Sequence, residues 1–317
     1  CKAHAAAFAL PTYQSAWLKT HYPAAFLAAV LTHDPGMYPK RLIVDEARQM
    51  GITIAPIDVN ASDSVYRVED HGNAIRIALA TVSGISDGEV QSIIDGRPYI
   101  DLNDFVRRSG CSTPVTESLI LTGGFDSLHA DVNRRDLLLH FSDLQKSPSA
   151  AVSGAQMNLG FEPPALISSG LPAMTASESV KYEIDRLGID MSRHLIEFYG
   201  EFLNAIGAVR SSDLLKQRSQ SSVLVAGIKV AMQTPPVRSG KRVIFLTLDD
   251  GYGCSDSTFF TDVQGEYANV LYSTSLLLVR GITRRTGARG ISIRATGAWD
   301  LRAAYESWSA KQSTLAI

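Results

Sequence analysis

Apolar residues recur at three-to-four spacing up to about position 50 (Ala9, Tyr13, Trp17; Phe26, Val30), the period of helices that hide one face. Pro11 and Pro23 each mark a kink or a fresh helix start. Asp34-Pro35-Gly36 is a turn, and Gly51 ends an amphipathic helix over Lys40–Met50. The period then shortens. Ile52-Thr53-Ile54 predicts a strand, and Val65–Val68 with Ala74–Leu79 a small hairpin turning at Asp70–Asn73. Residues 80–142 are helical again and contain two Gly-turned helical hairpins, Val82–Ile94 and Thr116–Leu128. Over 143–176 Ser, Pro, Ala and Gly dominate and apolar periodicity vanishes, which predicts a linker. A helical connector follows over 177–219. From Ser222 the period is two (Val223, Val225, Gly227; Val243, Phe245, Thr247; Leu276, Leu278, Val279), broken by turns such as Asp249-Asp250-Gly251. That predicts an all-β OB barrel over 220–303, with a tail over 304–317. The fold class is multidomain α+β.

Composition narrows the classes. The chain has 317 residues, is 45% hydrophobic and carries a formal net charge of −2, so any nucleic-acid site must be local. The three cysteines (Cys1, Cys111, Cys254) form no CxxC and no disulfide framework, which fits a reducing cytoplasm. No apolar run is long enough to span a bilayer, and no signal peptide is visible. His4, His21 and His33 lack the partners of a zinc site, so no metal ligand is expected.

Four stretches carry candidate chemistry. Lys2, His4 and Lys19 suit the phosphates of a nucleotide, and Tyr13 suits stacking on a base; a helix with solvated cations is the alternative. In Gly84-Ile85-Ser86-Asp87-Gly88, a turn held by Gly84 and Gly88 offers backbone N–H groups to a DNA phosphate. Ser86 and the anionic Asp87 weaken that offer, so Arg107, Arg108, Arg134 and Arg135 are the stronger phosphate candidates. Helical packing without DNA contact remains the alternative. The apolar trio in Gln156-Met157-Asn158-Leu159-Gly160-Phe161, inside the polar linker, suits docking into a partner through Gln156, Leu159 and Phe161. On the barrel, Lys229, Lys241, Arg242 and Phe245 suit a single strand, although such barrels also dock proteins.

Lys2-Ala3-His4-Ala5-Ala6-Ala7-Phe8-Ala9, Tyr13-Gln14 and Leu18-Lys19-Thr20-His21-Tyr22-Pro23-Ala24-Ala25-Phe26 together resemble the fingers segment of the bacterial C-family DNA polymerase III alpha subunit. Leu119-Ile120-Leu121-Thr122-Gly123-Gly124-Phe125-Asp126-Ser127-Leu128 is similar to that family's Leu-Ile-x-x-Gly-Ala-Phe-Asp-x-Leu, and Arg134 follows where the family has an arginine. The resemblance implies that 1–79 is the C-terminal part of the fingers, with Lys2, His4, Tyr13 and Lys19 at an incoming deoxynucleoside triphosphate. It implies that 80–142 is a tandem helix-hairpin-helix region on duplex primer–template DNA. Gln156-x-x-Leu159-x-Phe161 resembles the peptide that binds the sliding clamp, and the barrel would meet template strand or an accessory protein. The palm carboxylates and their Mg2+ would lie upstream, leaving this chain no catalytic residue and no cofactor. Gln233-Thr234-Pro235-Pro236 looks like a turn of the error-prone, damage-tolerant members. The implied whole is a DNA-directed DNA polymerase of replication or translesion repair, at the bacterial nucleoid. A non-catalytic scaffold that binds DNA and clamp is the alternative.

Overall fold

The computed structural model describes residues 2–36, 38–146, 165–235, 242–285, 287–288 and 290–315. The chain forms two compact units, Cys1–Arg193 and His194–Ile317. The 177–219 stretch divides between them.

In the first unit, α1 (Lys2–His21), α2 (Pro23–His33) and α3 (Lys40–Gln49) precede a three-stranded sheet of β1 (Thr53–Ala55), β2 (Arg67–Glu69) and β3 (Ala74–Arg76). Pro11 is accommodated inside α1, whereas Pro23 opens α2, where its missing N–H costs nothing. The hairpin β2–β3 closes as the pattern predicts, and β3 also takes β1 as a parallel neighbour, giving the order β1-β3-β2. Among the described residues five helices follow: α4 (Asp87–Asp95), α5 (Leu102–Ser109), α6 (Thr113–Leu121), α7 (Arg134–Lys146) and α8 (Ala176–Leu187). One continuous core joins both halves of the unit, from Leu31, Val44 and Ile75 to Ile93, Leu119 and Leu137. At its centre Phe105 meets Tyr99 and Phe125 edge-on, each at 4.9 Å between ring centroids.

The second unit contains two 3-10 turns (Leu195–Tyr199 and Ser211–Lys216) and α9 (Gly200–Ala205) before the barrel. The barrel consists of β4 (Ser222–Gln233), β5 (Ile244–Asp249), β6 (Cys254–Phe259), β7 (Leu276–Arg285) and β8 (Ile291–Asp300). It closes in the order β4-β5-β6-β8-β7, with β6 and β8 parallel and the other neighbours antiparallel. Five strands in this Greek-key order make an OB-like barrel. Val223, Val225, Leu246, Phe259, Leu277, Val279 and Ile293 fill its interior.

Three details are not given by the sequence pattern. Ile244, Leu246 and Leu248 face inward on β5, which turns Phe245 and Thr247 out; a period of two fixes alternation and not which set is buried. α10 (Thr261–Ser273) interrupts the strands between β6 and β7. α11 (Leu301–Leu315) forms where a tail is expected. Leu301, Tyr305 and Trp308 recur at helical spacing and cover Leu276 and Leu278 on the outer wall.

Candidate nucleic-acid interface

α1 stands exposed along its whole length, with no buried residue. Lys2 and His4, two positions apart, point to opposite sides of the helix, because each residue turns it by about 100°. Tyr13 shares the face of Lys2 but lies about 16 Å further along. Lys19 is ion-paired to Glu46 on α3. His4 packs on Phe8, with ring centroids 4.7 Å apart. The four fingers candidates are therefore spread along a helix and are not gathered into one pocket. Phe8, Leu10, Tyr13 and Trp17 are all exposed on the same helix.

The first hairpin is built around an internal anion. Gly84 holds the left-handed turn (φ 81°), and Ser86 caps α4. Glu89 reaches back to close a capping box: one carboxylate oxygen accepts from the Ser86 N–H at 2.9 Å and from its hydroxyl at 2.8 Å. The other oxygen accepts from the N–H of Ser112 at 2.9 Å and from its hydroxyl at 2.7 Å. Ser112 is the N-cap residue of α6. One carboxylate thus sits between two helix N-termini, where peptide dipoles favour negative charge. These hydrogen bonds, with that from the Ser112 amide the largest, hold its pKa down at about 2. An incoming phosphate would meet Glu89, with Asp87 exposed beside it.

The second hairpin spends its amides on itself. The Gly123 and Gly124 N–H groups donate to the Ile120 and Leu119 carbonyls. Gly123 needs its left-handed φ of 91°, and a Cβ there would run into the Arg134 guanidinium.

The arginines sort by partner. Arg134 closes the turn, donating to Asp126 at 2.6 Å and to the Leu121 carbonyl at 3.0 Å. Arg108 donates to Asp104 and to the carbonyls of Gly96 (2.6 Å) and Pro98 (2.7 Å), and stacks on Tyr99. Arg135 pairs with Glu178 at 2.8 Å. Arg107 shares Asp104 at 3.0 Å but keeps 76% of its side chain exposed, so it is the most available of the four. These hydrogen bonds, that from Arg108 foremost, hold Asp104 at about 2.

On the barrel, Phe245 is 46% exposed on β5, and Arg242, just before that strand, is exposed as well. Lys229 instead donates to the Leu271 carbonyl at 2.7 Å, capping the last turn of α10, and burial pulls its pKa down. Lys241 lies outside the described residues, as do Gln156, Leu159 and Phe161. Asp249 and Asp250 act as turn groups. Asp249 accepts from the Gly251 N–H and faces His194 at 3.3 Å, while Asp250 accepts from the N–H groups of Ser211 (2.7 Å) and Tyr252 (3.0 Å).

Sequence reasoning passed over Glu89, although Ser86-Asp87-Gly88-Glu89 is a legible capping box. Its second partner, Ser112, lies 23 positions away and no local pattern signals it.

The helix-hairpin-helix motif family matches residues 51–137, taking in the three-stranded sheet as well as the hairpins. An error-prone DNA polymerase of Symbiobacterium thermophilum is 31% identical over 92% of this chain and 31% of its own length. One from Bdellovibrio bacteriovorus is 29% identical over 90% of this chain and 28% of its own. The DNA polymerase III subunit alpha of Escherichia coli K12 is 30% identical over 97% of this chain and 28% of its own. The chain spans about three-tenths of the length of the curated relatives it matches. Over nearly its whole length, both units included, the chain is homologous to part of the bacterial DNA polymerase III alpha and error-prone DNA polymerase family.

Proposed function

We propose that this chain is the DNA-holding and nucleotide-approach part of a bacterial DNA-directed DNA polymerase, acting at the nucleoid in the cytoplasm. The observation that carries the reading is similarity to these polymerases across both units, at about 30% identity over nine-tenths of the chain or more. α1 supplies Lys2, His4, Tyr13 and Lys19 to an incoming deoxynucleoside triphosphate. Its exposed Phe8, Leu10 and Trp17 fit a helix that meets further polymerase surface. Arg107 and its neighbours face duplex primer–template, and Phe245 with Arg242 faces unpaired template or an accessory protein. Gln156, Leu159 and Phe161 dock on the sliding clamp.

Phosphoryl transfer needs carboxylates free to hold two Mg2+ ions. Asp250 does not fit that task, since Ser211 and the Tyr252 amide occupy both of its oxygens. We expect the chain alone to be inactive. The error-prone, translesion type is the favoured subtype, on the strength of Gln233-Thr234-Pro235-Pro236.

Primer extension by the full polypeptide that carries this sequence tests the reading. Templated incorporation is expected, and Lys2→Ala with His4→Ala should impair it while leaving DNA binding largely intact. The rival is a non-catalytic scaffold for DNA and clamp. A polypeptide that binds clamp and DNA without incorporating nucleotides would establish that rival.

A further inference from the structure

The second unit holds a cavity of about 250 Å³ between the Leu195–Tyr199 turn, α9, the Ala208–Arg210 segment and the turn after β5. Ile196, Leu203, Val209 and Ala226 give it an apolar lining, and Arg210 and Tyr252 line it too. Hydrogen bonds tie its walls down. The Ala208 N–H donates to the Leu203 carbonyl at 2.9 Å, and the Val209 N–H to the Leu224 carbonyl at 2.7 Å. Asp250 accepts from the Ser211 N–H (2.7 Å), the Ser211 hydroxyl (2.6 Å) and the Tyr252 N–H (3.0 Å). One carboxylate thus couples the neighbour of Arg210 to Tyr252. The Arg210 guanidinium lies over the Tyr252 ring, 4.4 Å from its centroid. Among the described residues it is the single cation of the lining and makes no ion pair. Gly200 opens α9 at φ −55° and ψ −44°, and a Cβ there would meet nothing within 4 Å, so the cavity extends to its backbone.

We propose that this cavity binds an aromatic carboxylate, a single ring carrying a free carboxyl group on a short arm. Size selects the ring. A cavity of about 150 Å³ lined by apolar side chains takes benzene, and sites for drug-sized molecules start at about 300 Å³. The 250 Å³ found here lies between the two, so it suits one ring with a short arm and excludes a base, sugar and phosphate together. A ring also fills space with few rotatable bonds to fix. Charge selects the acid group. A guanidinium meets a carboxylate with two parallel N–H donors, and stacking on Tyr252 engages the face of Arg210 while leaving its edge for that contact. Glu197, on the same lining, repels an anion, which directs the acid group to Arg210. The same chemistry is offered by a small aromatic acid and by the last residue of a protein chain. DNA contacts play no part in it.

The test is isothermal titration and saturation-transfer NMR of the whole chain with N-acetylphenylalanine, beside its uncharged amide. The acid should bind with a Kd on the order of 1 mM, and the amide roughly tenfold more weakly. This comparison needs no variant, so it stands even if a substitution unfolds the unit. Arg210→Gln should weaken the acid roughly tenfold and leave the amide nearly unchanged, whereas an arginine that only supports the fold would affect both alike. Gly200→Leu fills the cavity at a helical backbone position and should abolish binding with Tm held or raised. A tetrapeptide ending in phenylalanine distinguishes the two sources: binding tighter than that of N-acetylphenylalanine points to a chain end, and equal binding to a small acid. Failure of the acid to bind, equal binding of acid and amide, or binding that survives Gly200→Leu overturns the proposal.

Discussion

Glu89 offers the sharpest physical test, because one carboxylate serves two helix N-termini. Lowering of its pKa from an ordinary 4.5 to about 2 corresponds to a ceiling of about 3.4 kcal/mol. The group is only half-buried, and solvent screening leaves about 1–2 kcal/mol. Glu89→Gln keeps one acceptor oxygen and turns an amide NH2 toward the other serine, so one of the two caps is lost. At pH 7 the first unit should lose about 1–2 kcal/mol, seen as a fall of roughly 3–6 °C in Tm by circular dichroism. The sign with pH follows from the depressed pKa. Stabilisation by the wild-type carboxylate is fully present above the unfolded value near 4.5 and is lost as pH falls toward 2. The gap between wild type and Glu89→Gln should therefore narrow in urea titrations taken from pH 6 down to pH 3. The same change removes an anion from the two N-termini, so duplex affinity should rise, the reverse of the usual effect of damaging a binding region. Equal stability at pH 7, or a gap that does not change with pH, would refute the assignment.

Other outcomes follow from particular groups. Burial lowers the pKa of His129, whose Nε2 accepts the Leu102 N–H at 3.1 Å. It also lowers that of His140, beside Asn103, and His129 adds to the effect there. Both depressed values mean that stability is complete above the unfolded value near 6.5 and declines as pH falls below it. Urea midpoints between pH 7.5 and 5.5 should show this, and His140→Gln should flatten the decline; an unchanged slope would contradict it. Burial pushes the Cys111 thiol up to about 11, whereas Cys254 is exposed. Mass mapping after brief iodoacetamide treatment at pH 8 should find Cys254 labelled well before Cys111, and the reverse order would count against the burial of Cys111. Replacing Gln156, Leu159 and Phe161 together by Ala should abolish sliding-clamp binding in surface plasmon resonance without shifting Tm; retained affinity would make the motif a coincidence.

Much of the architecture was legible in the chain. Pro23 and Gly51 punctuate the helices of the first unit because each acts through its own backbone. Alternation from Ser222 identifies the barrel because a half-buried strand leaves no other period. The misreadings have definite causes. α10 places Val263, Tyr267 and Val270 at helical spacing between two strands, in a stretch too short for one weak period to stand out. Which face of β5 turns inward is not legible, because Val243 and Phe245 are as apolar as Ile244 and Leu246, and only barrel closure decides between the pairs. The arginine candidates were legible as cations and not as free ones. Arg108 has Asp104 four residues back, a helical neighbour visible in sequence, but Arg135 meets Glu178 from 43 positions away. The polymerase resemblance lay in local runs such as Leu119–Leu128, whose residues form a tight turn.

Primer–template DNA is the ligand proposed for this chain. The most direct measurement is anisotropy of the 317-residue chain on labelled primer–template over a salt series, with and without sliding clamp. Binding should weaken steeply with salt, each phosphate contact adding about 0.9 to the slope, and should strengthen when clamp is present. Clamp binding without any salt-sensitive DNA binding would contradict it and leave a docking module in its place.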